Sequence, residues 1–198
     1  MSNNSTPFGL RPVRYRNGAS WNGATQRCFI HADYGTALYI GDIVVLTAAT
    51  DDQDTTAHHI SVKKGDVTSA AIYGVIASFD HKPTSLETVY SPASTEAYAN
   101  VVTDPNVIFQ IKDDGSGTPS KLYPGQNCDM ADAGGSTVTG LSGISMAAST
   151  ILDTQALNLH ILGLSDFVGN DLADYAVWDV IINTMLNATG SRLVVIAS

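Results

Sequence analysis

Residues 176–183 read AVWDVIIN. Trp178, Val180 and Ile182 fall on one face of an extended chain, and Val177, Asp179 and Ile181 on the other, because side chains alternate along a strand. Both faces are apolar apart from one acid. A carboxylate buried without a partner costs a few kcal/mol, so Asp179 is expected on the exposed face of an edge strand, with a salt bridge at a subunit interface as the alternative.

The same period-two pattern recurs outward from this stretch. Residues 107–112 (VIFQIK) place Val107, Phe109 and Ile111 on one face, and residues 157–162 (LNLHIL) do the same for Leu157, Leu159 and Ile161, with Asn158 and His160 opposite. Residues 27–31 (RCFIH), 40–47 (IGDIVVLT), 71–79 (AIYGVIASF) and 192–196 (RLVVI) complete the set, Gly74 marking a bulge or a close packing point. Turn chemistry separates the runs at Lys64-Gly65-Asp66, Asp113-Asp114-Gly115, Tyr123-Pro124-Gly125 and Ala133-Gly134-Gly135. Residues 91–100 and 171–175 are the two places expected to hold a helical turn. Short strands with frequent turns give an all-β fold, a sandwich or barrel of antiparallel strands. Phe109, Leu159, Ile161 and Trp178 are expected inside it.

Charge divides the chain. Residues 1–27 carry Arg11, Arg14, Arg16 and Arg27 and no acid, for +4; the remainder carries −13, and the 198 residues together −9. The first stretch is rich in Gly, Asn, Ser and Thr and has no clean period. It reads as an extended basic arm, residues 1–26, on a single acidic all-β domain, residues 27–198. Such an arm suits reaching onto another surface, and removing it is expected to leave the melting temperature nearly unchanged. Only 15% of residues are charged, low for a folded chain, which fits a protein that hides surface in partners.

The acidic body argues against nucleic-acid binding, which needs clustered Lys and Arg. The start, MSNNSTPFG, lacks the apolar core of a secretory signal, and no segment has the length of a membrane span. Cys28 and Cys128 are therefore expected as buried, reduced thiols.

No standard catalytic constellation is present: no GxSxG, phosphate-binding loop, dinucleotide fingerprint or HExxH occurs. Asp51, Asp52, Asp54, His58 and His59 form a loop read as solvated, since adjacent histidines on a strand face opposite ways. Asp113 and Asp114 sit in a Gly/Ser turn, where a loop tip offers neither the burial nor the partner of a catalytic carboxylate. A glycan hydrolase with dispersed carboxylates is the enzymatic rival, and no pair supports it.

Several words of the sequence carry a resemblance. Residues 7–13 (PFGLRPV), 21–25 (WNGAT), 39–42 (YIGD), 90–95 (YSPAST), 104–109 (DPNVIF) and 159–164 (LHILGL) resemble virion structural proteins of tailed bacteriophages, among them capsid decoration, or cement, proteins. The resemblance spans nearly the whole chain. It implies a protein on the outer capsid surface, made in the host bacterial cytoplasm, that binds the major capsid protein and itself, as a trimer in preference to a dimer. It offers no active site to carry over, and with no nucleophile–base or ligand-spaced set in the sequence the expectation is no enzyme activity, no cofactor and no metal. A head–tail or tail protein is the neighbouring alternative. The residues expected to touch the capsid or a neighbour are Phe8, Leu10, Arg11, Arg14, Arg16 and Trp21, with the large apolar members as anchors, because buried apolar groups dominate interfaces.

Overall fold

The computed structural model describes residues 3–47, 59–69, 71–80, 87–153 and 157–188. The strand expected at 192–196 and most of the Asp/His loop, His59 excepted, lie outside the described residues. The fold is all-β. Its strands are β1 (Arg11–Tyr15), β2 (Gln26–Ile30), β3 (Ile43–Leu46), β4 (Val62–Lys64), β5 (Gly74–Phe79), β6 (Ala97–Val102), β7 (Val107–Lys112), β8 (Asn127–Cys128), β9 (Met130–Gly135), β10 (Ser142–Met146), β11 (Leu159–Leu164) and β12 (Val177–Ile182). Among the described residues the helical structure is one 3-10 turn, Ala148–Thr150.

Among the described residues, two five-stranded antiparallel sheets and a hairpin make up the body. One sheet runs β1-β7-β12-β11-β8, the other β2-β6-β5-β3-β4, and β9 pairs with β10. The second sheet curls on itself. Phe29 of β2 meets Ser61, just before β4, in a parallel bridge, and the Phe29 N–H donates to the Ile60 carbonyl at 2.8 Å. Its strands thereby enclose a narrow interior filled by Cys28, Ile30, Val44, Val62, Ile76, Ala97, Ala99 and Val101. Leu38 and Tyr73 join the same cluster, and the β6 residues facing it, Ala97, Ala99 and Val101, are small because a five-stranded barrel leaves little room inside.

The alternate residues of these same strands face the other way. Ile43, Val75 and Val102 join Phe109, Ile111, Leu159, Ile161, Trp178, Val180 and Ile182 of the open sheet in a second core, which the hairpin extends with Met130, Ile144 and Met146. The fold is thus a sandwich with one curled layer. Phe109, Leu159, Ile161 and Trp178 are buried as expected, and β7 and β12 lie in register with Phe109 opposite Val180. Gly74 is a close packing point: a Cβ there would sit 2.4 Å from the Val102 carbonyl oxygen.

Three expectations are corrected. Residues 97–102 form β6 in place of a helical turn, with Ala97, Ala99 and Val101 facing the barrel interior. Residues 171–175 form a turn, with Tyr175 at φ 63°. Asp179 lies on β12, between β7 and β11, and is not on an edge strand. It is almost fully buried and takes Arg14 Nη2 at 2.8 Å and the Ser165 hydroxyl at 2.5 Å.

The N-terminal segment runs extended along the body, and part of it is built in. β1 is the edge strand of the open sheet, with Arg11 opposite Gln110 and Tyr15 opposite Val107. Its Pro12 is tolerated because an edge strand has a free side. Leu10 is only 1% exposed, in the second core. The expectation that residues 1–26 add little to the fold is thereby corrected for residues 9–15. The charge asymmetry has an internal use: Arg14 meets Asp179 and Arg27 meets Asp80, at 2.8 and 2.7 Å, so basic segment and acidic body pair within one chain.

Leu10→Ala is expected to cost about 2–5 kcal/mol and Phe109→Ala about 3–5 kcal/mol in urea unfolding. A loss below about 1 kcal/mol for Leu10→Ala would mean that the segment is not part of the core.

Candidate functional site

The site begins where two stretches of backbone cross. Gly9 (φ 74°) and Gly41 (φ 92°) lie face to face, both in the left-handed region that side chains disfavour. A Cβ on Gly41 would come within 2.8 Å of the Phe8 carbonyl oxygen and 2.9 Å of the Gly9 Cα. A Cβ on Gly9 would meet the Gly41 Cα at 2.8 Å. The approach permits the Leu10 N–H to donate to the Gly41 carbonyl at 3.0 Å, while the Gly41 N–H donates to Ile76 on the barrel at 2.8 Å. The β9–β10 hairpin joins from the side, through the Ile40 N–H to the Gly140 carbonyl and the Ser142 N–H to the Ile40 carbonyl.

Asp42 anchors this crossing from beneath. It is fully buried, and its carboxylate accepts the Tyr39 N–H at 2.8 Å and the Ser142 hydroxyl at 2.5 Å. Burial holds its pKa above the usual carboxylate range, against the pull of the Ser142 hydroxyl and the Lys64 charge. Lys64 Nζ lies 3.7 Å from Asp42 and 2.7 Å from Asp132. Burial pushes the Lys64 ammonium down, but the Asp132 hydrogen bond and the two carboxylate charges outweigh it and hold the group above its ordinary value.

On the outer side of the crossing lies a cleft of about 400 Å³, lined by Phe8, Leu10, Arg11, Pro12, Trp21, Ile40, Ile76, Ala77 and Leu141. Phe8 is held by cations: the Arg11 guanidinium stands 4.9 Å from its ring centroid and Lys112 Nζ 5.7 Å. Lys112 also donates to the Asn4 and Thr6 carbonyls, at 2.5 and 2.9 Å, and so clips the preceding residues to the open sheet. The Trp21 N–H donates to the Val13 carbonyl at 3.2 Å. The indole Nε1 is buried without a hydrogen-bond partner, a costly state for a donor.

Four of the six residues expected to contact a neighbour, Phe8, Leu10, Arg11 and Trp21, meet at this cleft. Leu10 is its floor rather than a free anchor, because its side chain is spent in the core. Arg14 is engaged with Asp179, and Arg16 is exposed at a separate turn, its N–H donating to the Asn106 carbonyl at 2.9 Å.

Asp113 corrects the reading of its turn as a solvated tip. It is 2% exposed and accepts N–H bonds from Gly115, Tyr175 and Ala176, plus the Trp178 indole N–H, at 2.7–3.3 Å. Burial raises its pKa while these four donors oppose the shift. The carboxylate locks two loops to β12, and nothing local to the turn announces this, since three of its donors are some sixty residues away. A polar depression of Gly125, Asn127, Asp153, His160 and Asn183 was also not foreseen. There Asn127 Oδ1 accepts from Asn183 Nδ2 at 3.1 Å and lies 2.8 Å from His160 Nδ1.

Cys28 and Cys128 are free and fully buried, and burial pushes each thiol up to about 12. Tyr73 is likewise pushed up to about 12, by burial and then by Cys28 beside it. Comparison with protein-family models, with curated proteins and with solved structures finds no match.

Gly41→Ala is expected to cost about 3 kcal/mol or more, combining left-handed strain with a clash against backbone that cannot give way. Gly163→Ala, where an added Cβ meets nothing within 4 Å, is expected to stay within about 0.5 kcal/mol. Equal effects in denaturant titrations would contradict the crossing. The native thiols and phenol hold protons that the unfolded chain releases from about pH 8.5 upward. Their stabilisation is complete below that pH and is lost as pH rises toward about 12. Unfolding free energy measured at rising pH is therefore expected to fall across this window, and neither thiol is expected to react with a thiol reagent until the protein unfolds.

Proposed function

We propose that this chain is a non-enzymatic structural component of a tailed-bacteriophage virion, a capsid decoration (cement) protein that binds the outer face of the major capsid lattice and stabilises the head. The observation that carries the reading is the cleft. It is apolar and open at the surface, has a cation at its rim, and is built from the N-terminal words through which the chain resembles such proteins. Residues 7–13 and 39–42 meet at the glycine crossing, and residues 104–109 run into β7, the partner of β1. The resembling words thus support one another in space.

A cement protein must stay soluble before it binds, which an acidic body favours, and must then bury apolar surface against a neighbour. Phe8 and Trp21 are the apolar members presented at the cleft, and Arg11 and Arg16 are exposed, Arg11 donating to Gln110 Oε1 at 2.6 Å. Exposed ion pairs are worth only about 0–1 kcal/mol each. Arg14 and Arg27 are already paired inside the chain, so long-range attraction assists encounter and apolar burial sets residence.

Trp21→Ala is therefore expected to speed release from capsids more than Arg16→Ala does. Added salt is expected to slow association more than it accelerates release, because charge steering is screened beyond about 8–10 Å. Heating matched particles with and without the protein tests the function. Bare heads are expected to rupture at lower temperature, and equal rupture temperatures would remove the cement reading. Copy number in purified virions separates the neighbouring alternative: a few copies per particle would place the chain at the head–tail junction or tail.

A further inference from the structure

We infer that the cleft receives the exposed loop between β11 and β12 of a second copy of this chain, so that copies join loop-into-cleft and head to tail. This rests on reading the cleft as an assembly surface.

The loop is a fixed stalk with an apolar tip. Phe167 is 45% exposed and Val168 103%, the most exposed large apolar residue described. The stalk is held by Asn170, whose amide donates to the Ser165 and Val177 carbonyls and accepts the Val177 N–H, all at 2.8–2.9 Å. Asn3 adds bonds to the carbonyls of Asp171 and Asp174. A tip so braced loses little conformational freedom on docking, which is what makes an apolar knob effective. A protein that stayed alone would gain nothing from holding two adjacent apolar side chains rigidly in water.

Charge and polarity match the cleft to this loop. Exposed Asp166 flanks the tip, and the cleft carries the Arg11 guanidinium beside the Phe8 ring, with one nitrogen donating to Gln110 Oε1 at 2.6 Å. Val138, in a turn of Ser, Thr and Gly, and Leu122, which follows Lys121, lack this pattern, and Leu152, which precedes Asp153, is held in a bridge to Asn127. Because loop and cleft are different patches, the contact is heterologous, and repetition closes into a ring when the rotation allows.

The test is sedimentation velocity of the full chain across the micromolar range. The wild type is expected to associate. Val168→Asp, on the loop, and Leu141→Asp, in the cleft, are each expected to weaken association at least about thirtyfold and to sediment as 20.8 kDa monomers with unchanged circular dichroism. Mixed together, they are expected to form a two-chain complex, because one intact loop and one intact cleft remain. A monomeric wild type, an oligomer that Val168→Asp leaves intact, or a mixture that stays monomeric overturns the inference. Capsid decoration is scored separately. A Leu141→Asp monomer that still decorates would place capsid binding outside the cleft, keep this contact and leave the cement reading standing. A loop-dependent oligomer that fails to decorate would keep this contact and remove that reading.

Discussion

The crossing of Gly9 over Gly41 is the constraint on which the surface of this protein depends. Two backbones approach so closely that neither position accepts a Cβ. What the approach gains is the hydrogen bond from Leu10 to Gly41, and with it the placement of Leu10 in the core and of β1 on the open sheet. The cost is a carboxylate, Asp42, taken wholly out of water beneath the crossing. That cost is offset by the Tyr39 N–H, the Ser142 hydroxyl and Lys64. Removing any one of these partners would leave a buried charge under-satisfied, which is far more damaging than the loss of an exposed ion pair. Barrel, hairpin and N-terminal segment are therefore fastened at one point, and the cleft is the outer surface of that fastening.

How much of this was legible depended on whether the signal was local. β7 and β12 could be read because large apolar residues alternate without interruption, and Val107–Lys112 is reproduced to the residue. β6 was lost because its inward residues, Ala97 and Ala99, are too small to register as an apolar face. They are small because the barrel interior is narrow, a property of the closed sheet rather than of the stretch. β9 and β10, rich in Ala, Gly and Ser, were lost for a similar reason. β1 was lost because Arg and Pro fit an edge strand, and its Arg14 is answered by Asp179, far along the chain.

The site was legible in its members and not in its arrangement. Phe8, Leu10, Arg11 and Trp21 stood out as large or charged groups in a segment without period, but that they meet at one cleft depends on Ile40, Ile76 and Leu141 from the barrel and the hairpin. Asp113 shows the reverse failure. Its Gly-rich turn reads as solvent-facing by every local rule, and its burial follows from donors around Tyr175–Trp178. The acid-free start of the chain suggested reach toward a foreign surface. In the fold, much of that charge is answered from within, and what remains outward is the cleft, the exposed Arg16 turn and the apolar loop tip.

Hydrogen–deuterium exchange at the Leu10 amide tests the built-in N-terminal segment most directly. The Leu10 N–H is bonded to Gly41 across the crossing, so its protection should approach that of the Phe109 amide in the centre of the open sheet, both opening only with global unfolding. A Leu10 amide that exchanges at the rate of an unstructured peptide while Phe109 stays protected would show a free arm. It would contradict the crossing, the cleft built on it and the function drawn from that cleft.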